Sequence, residues 1–153
     1  MDKIIKWTCK TVQLFNKLAN AIPTKEVTAK ETQIIIPDVE VTIDAPGSVE
    51  SGSDFTVWIN VSGIIDLNSG QFDLVYDADS VEIKGSEGGT ESVSDGMIGN
   101  VSDGMIEGVK LPVALWGHIP SNKPGVVHIL LKMPGLSTAS GSGYLVAIHF
   151  HAK

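Results

Sequence analysis

Arginine is absent from the 153 residues: all 11 basic side chains are Lys, set against 18 Asp and Glu. Without guanidinium forks, and with a formal charge of −7, the chain is poorly matched to phosphates and base edges, which excludes nucleic acid as a partner. A single cysteine, Cys9, excludes an intrachain disulfide and a Cys-built zinc site. Apolar runs are short, and near the N-terminus Lys or another polar residue keeps interrupting them, so no membrane span and no signal peptide is recognised. There is no Gly-x-Ser-x-Gly elbow, no phosphate-binding Gly loop ending in Lys-Ser/Thr and no Gly-x-Gly-x-x-Gly after a strand. The reading is therefore of a protein that is not an enzyme and uses no cofactor.

What is present is a globular composition. Hydrophobic residues make up 42% and charged residues 19%, which supports one domain with a packed core and not a disordered chain. Gly and Pro fall mostly after residue 37, between short period-two runs, so the predicted class is all-β. Val39, Val41 and Ile43 alternate with polar residues; Phe55, Val57, Ile59 and Val61 form a second face; Phe72, Leu74 and Tyr76 a third, with Gln71, Asp73 and Val75 opposite. Val81 with Ile83, then 109–116, 126–133 and 144–152 bring the set to about seven strands, the expected content of a two-layer antiparallel sandwich. Pro112 marks 109–116 as an edge strand, because proline cannot donate to a ladder. Residues 93–100 and 101–108 are near copies of one octapeptide, read as a local duplication in a loop or hairpin.

Charge divides the chain. Residues 1–30 carry six Lys against Asp2 and Glu26, whereas the remainder carries five Lys against 16 acids. In residues 1–22, Ile4, Ile5, Thr8, Val12, Phe15, Leu18, Ala19 and Ile22 share one side at 3.6 residues per turn, and Lys3, Lys6, Lys10 and Lys17 share another. The spacing predicts a basic amphipathic helix, lying on an anionic membrane surface or packed on the rest of the protein. Residues 23–37, bounded by Pro23 and Pro37 and containing the apolar triplet Ile34 to Ile36, read as a linker, and 38–153 as the sandwich.

Two constellations invite chemistry. Asp77 and Asp79 form an acidic pair, but in an acidic domain such residues more commonly hold turn backbone. His149 and His151 share a strand face, and a simple hairpin would set His128 opposite them; lone polar residues on a wet face need no ligand, and no metal is assigned.

The order of three segments resembles the cohesin module: Ser51-Gly-Ser-Asp-Phe-Thr-Val-Trp-Ile-Asn-Val-Ser-Gly63, then Gly70-Gln-Phe-Asp-Leu-Val-Tyr-Asp-Ala-Asp-Ser-Val-Glu-Ile83, then Gly141-Ser-Gly-Tyr-Leu-Val-Ala-Ile-His-Phe150. The resemblance implies a jelly-roll sandwich, an extracellular or cell-surface setting, and a non-catalytic module. Its partner would be a dockerin-type module that carries the calcium. It also implies that the outer side of the sheet holding Ser69, Gln71, Asp73 and Val75 receives the partner helix, with His128, Leu130 and Lys132 on a neighbouring strand. Ser69 and Gln71 stand where type I members tend to have Asn and Asp, so the partner class is not carried over. The family continues for two more strands after the position of Phe150. Either the module is truncated and lacks these last strands, or the exposed edges are covered by Ile34 to Ile36, by the N-terminal helix or by a second copy, the last giving a homo-oligomer. Other classes are a structural or adhesive surface domain and a polysaccharide-binding domain. The latter would use Trp58 and Trp116, both on the parity opposite the apolar face of their strands.

Overall fold

The computed structural model describes residues 2–4, 6–16, 21–22, 27–28, 39–83, 101–118 and 125–153. Among these there is no helix. Thirteen strands are formed: β1 (Asp2–Ile4), β2 (Thr8–Asn16), β3 (Ala21–Ile22), β4 (Val27–Thr28), β5 (Glu40–Asp44), β6 (Ser48–Glu50), β7 (Asp54–Val75), β8 (Val81–Ile83), β9 (Val101–Ile106), β10 (Val109–Leu111), β11 (Val113–His118), β12 (Val126–Lys132) and β13 (Ala139–Ala152). β1 pairs with β6, and the other eleven belong to one hydrogen-bonded sheet whose ladders are all antiparallel.

The all-β expectation holds, with one change of layout: the runs around Phe55 to Val61 and Gln71 to Tyr76 belong to two halves of the 22-residue β7. The first half pairs with β5 and β13, and the second with β12 and β2. Between them Gly63 and Asp66 have positive φ (75° and 54°), which bends the strand while Asp66 N–H donates to Ser140 Oγ at 2.9 Å. One continuous strand thus carries the sheet around the core, so the eleven strands of the larger sheet close toward a barrel as one hydrogen-bonded set.

The N-terminal helix is overturned. Trp7, Cys9, Val12 and Leu14 are buried, while Lys10 and Gln13 are exposed. The register of β2 on β7 slips between Lys10 and Gln13, a bulge that inserts one residue and resets the alternation. Apolar steps of two, three and two residues mimic a helical period; with the bulge they are one strand face. The buried side joins the core: the Trp7 ring lies 4.9 Å edge-on to Phe150 and 6.0 Å from Phe55, and its Nε1–H donates to Pro46 O at 3.2 Å. A membrane-surface helix loses its basis with the helix. Ile34 to Ile36 and the prolines of the 23–37 stretch lie outside the described residues, as does the first octapeptide copy.

The second octapeptide copy is β9 and its turn. Glu107 and Gly108 both have positive φ (48° and 82°), the signature of a two-residue hairpin turn into β10. Gly104 is obligatory there, because a Cβ would collide with the backbone oxygens of Tyr144 and Leu145 on β13. Pro112 breaks 109–116 into β10 and β11, each at an end of the strand path, and the buried Asp103 spans the break. Its Oδ1 accepts from Val113 N–H at 2.8 Å and its Oδ2 lies 3.2 Å from Lys110 Nζ.

Candidate functional site

Phe72, Leu74 and Tyr76 point into the core and are 0%, 0% and 5% exposed, so the alternation forces Ser69, Gln71, Asp73 and Val75 outward. β12 runs antiparallel beside them with no irregularity, aligning Lys132 with Ser69, Leu130 with Gln71, His128 with Asp73 and Val126 with Val75. All seven residues expected on the partner face are therefore on one side of two adjacent strands. The Asp73 carboxylate accepts a 2.7 Å bond from His128 Nδ1–H at the middle of this surface.

β2 extends the surface on the other side of β7, in the segment whose spacing mimics a helix. Thr8 aligns with Val75, Lys10 with Asp73, Gln13 with Gln71 and Phe15 with Ser69, and the Gln71 side-chain amide donates to Gln13. β11 adds the exposed Leu115, aligned with Leu130, and Gly117, aligned with His128. Sequence reasoning misses the β2 residues because the bulge hides their period-two signal: Trp7 and Cys9 inward, then Val12 and Leu14 inward one step out of phase.

The face is four strands wide and chemically mixed: half-buried Val75, Val126, Leu130 and Phe15 around a hydrogen-bonded Asp–His pair, with Lys10 and Lys132 at the flanks. Such a surface suits a helix laid across it better than a small molecule, which needs concavity and convergent polar groups. An open depression of about 610 Å³ is lined by Pro112, Val113, Ala114, Lys132, Met133, Pro134 and Gly135, a set in which Lys132 is the one polar side chain.

The remaining expectations separate. Trp116 is 2% exposed: the register of β11 slips between Val113 and Leu115, turning Leu115 out and Trp116 into the core, so Trp116 offers no sugar platform. Trp58 stays half-buried on the outer side of β7's first half, edge-on to Tyr144 at 4.8 Å. The histidines are not gathered, because β12 pairs with β7 and β11 and not with β13. His149 hydrogen-bonds Thr56 and Ser102 at 3.0 Å each, and His151 pairs with Asp54 at 2.7 Å. Among the described residues no three His, Cys, Asp or Glu side chains form a metal-holding group. The Asp77 carboxylate takes the Asp79 N–H and the Ser80 hydroxyl, a turn role. Cys9 is fully buried, and burial, helped by the Asp73 charge, pushes its thiol above the ordinary range, so it stays protonated.

A family model described as the cohesin domain matches residues 39–153. No curated protein and no solved structure matches the chain.

Proposed function

The chain belongs to the cohesin family, and from that premise we propose that it is a non-catalytic protein-binding module whose partner is a calcium-loaded dockerin-type module. The partner helix lies across the face of β7 and β12. The observation that supports the reading is the register: Gln71 and Asp73 fall on inner rows of a four-stranded outer surface with Leu130 and His128 directly beside them, and Val75 follows on the same side at the end of β7. Central, desolvated contacts dominate interface energy, and rim charges mainly tune encounter. The two-layer jelly roll of the family is the layout we assign to the two halves of β7, and an extracellular or cell-surface setting follows from the same membership. Self-association through the β10 or β11 edge completes this reading.

The test is calorimetric titration against a broad panel of calcium-loaded dockerins. Val75→Glu sets a second carboxylate beside Asp73 on this face while leaving the buried side of β7 intact, and is expected to weaken binding at least about tenfold, or about 1.4 kcal/mol. Glu82→Gln, at the one exposed residue of β8, which pairs with β13, is the control and leaves affinity unchanged. Wild-type affinity in Val75→Glu refutes this placement of the site.

A second reading, polysaccharide binding, is favoured by one observation: the half-buried Trp58–Tyr144 pair on the outer side of β7's first half. Asn60, half-buried, is aligned with Tyr144, and Asp44, exposed, with Trp58. Retention on insoluble polysaccharide that Trp58→Ala removes, together with no dockerin binding, decides for it.

A further inference from the structure

We infer that β2, which precedes the family-matched residues, is part of the partner-binding surface, and that its Lys10 and Gln13 select a partner helix bearing carboxylates. This rests on the dockerin-type reading above and extends it to residues that the family match does not cover.

Two observations carry it. The first is geometric. Lys10 and Gln13 are exposed and aligned with Asp73 and Gln71, and Gln13 accepts from the Gln71 amide, so the β2 column is continuous with the proposed centre. With β2 in place β7 is an inner column, and a helix that crosses the sheet from β12 through Asp73 or Gln71 passes next over Lys10 or Gln13.

The second is charge. Across the strands of this face (8–16, 69–75, 113–118 and 126–132) the one carboxylate is Asp73, already bonded to His128, while Lys10 and Lys132 are exposed on its two sides. Lys6, also exposed, precedes β2 on the same parity as Lys10. A chain of formal charge −7 thus presents three lysines, Lys6, Lys10 and Lys132, on a surface where the described strands carry a single acid. Cations around a mixed apolar centre steer and orient an acidic partner and disfavour a basic one.

The experiment uses the full chain and the dockerin that the wild type binds best. Lys10→Glu is expected to lower affinity at least about tenfold, chiefly in the association rate, and to flatten its dependence on salt. Lys10→Gln and Gln13→Ala should each weaken binding about threefold with unchanged thermal unfolding. Because a carboxylate at position 10 would sit beside Asp73, the Lys10→Gln and Gln13→Ala variants keep the test valid if Lys10→Glu folds poorly. Loss of binding in Val75→Glu alongside wild-type affinity and salt dependence in Lys10→Gln and Gln13→Ala overturns the role of β2 and leaves the dockerin-type reading standing. A wild-type chain that binds no member of the panel overturns both.

Discussion

Replacing Trp7 with Ala tests whether β2 belongs to the core. Trp7 is 2% exposed, wedged edge-on against Phe150 and Phe55, and tied to Pro46 by its indole N–H. Truncating a core Trp costs about 3–5 kcal/mol from lost transfer energy plus the cavity. Against a total of about 5–15 kcal/mol, that is a large fraction of the stability of a domain this size. At about 2–4 °C per kcal/mol, the midpoint should fall by about 6–20 °C. Phe15→Ala supplies the internal comparison, because Phe15 is on the same strand with opposite parity and half-buried; its truncation should cost about 1 kcal/mol or less. The amphipathic-helix pattern predicts the reverse, with Phe15 facing inward and Trp7 off the apolar side. Urea unfolding followed by far-UV circular dichroism, which does not depend on the Trp being removed, measures both. A Phe15→Ala penalty larger than that of Trp7→Ala would refute the strand and its bulge.

Three further outcomes follow from the packing. Asp103→Leu leaves the Val113 N–H without its acceptor at the Pro112 break and should destabilise by about 1–3 kcal/mol in the same unfolding assay. Gly104→Ala forces a methyl group into the backbone of β13 and should cost at least about 1–3 kcal/mol, whereas Gly47→Ala, with open space around it, should be nearly silent. The Cys9 thiol, raised by burial and by Asp73, should resist alkylation in the native state and react on unfolding. The sign of its pH linkage is fixed: the unfolded chain loses this proton from about pH 9 upward while the folded chain keeps it, so stability falls as pH rises past that point. Cys9→Ala should remove that part of the alkaline decline.

Where one face of a strand is buried along its whole length, the sequence is readable residue by residue: Phe72, Leu74 and Tyr76 against Gln71, Asp73 and Val75 need only period two. That His128 lies on a strand neighbouring Asp73 comes through the family resemblance, because no local pattern states which strands become neighbours, and the residue-by-residue alignment comes only with the structure. The failures share one cause. β2 and β11 each contain a register slip, and a single inserted residue inverts every side chain beyond it, which gives one strand the look of a helix and sets Trp116 on the wrong side. The bend in β7 reads as a loop for a related reason: Gly63 and Asp66 look like turn residues, yet their positive φ bends the strand without ending it.

The position of β2 also decides what kind of recognition β7 can perform. A strand with an open edge binds extended peptides by adding them to its ladder, and main-chain hydrogen bonds then supply affinity with little regard for side chains. β7 has β12 bonded on one side from Ser69 to Val75 and β2 on the other from Leu67 to Val75, so neither edge of this half is available for strand addition. A partner docked on this half would therefore be recognised through the outward side chains, which is why the proposed site is tested with a carboxylate at position 75. Removing β2 would do more than weaken the core: it would bare the Leu67 to Val75 edge and convert a side-chain surface into a backbone template, favouring self-pairing over selective docking.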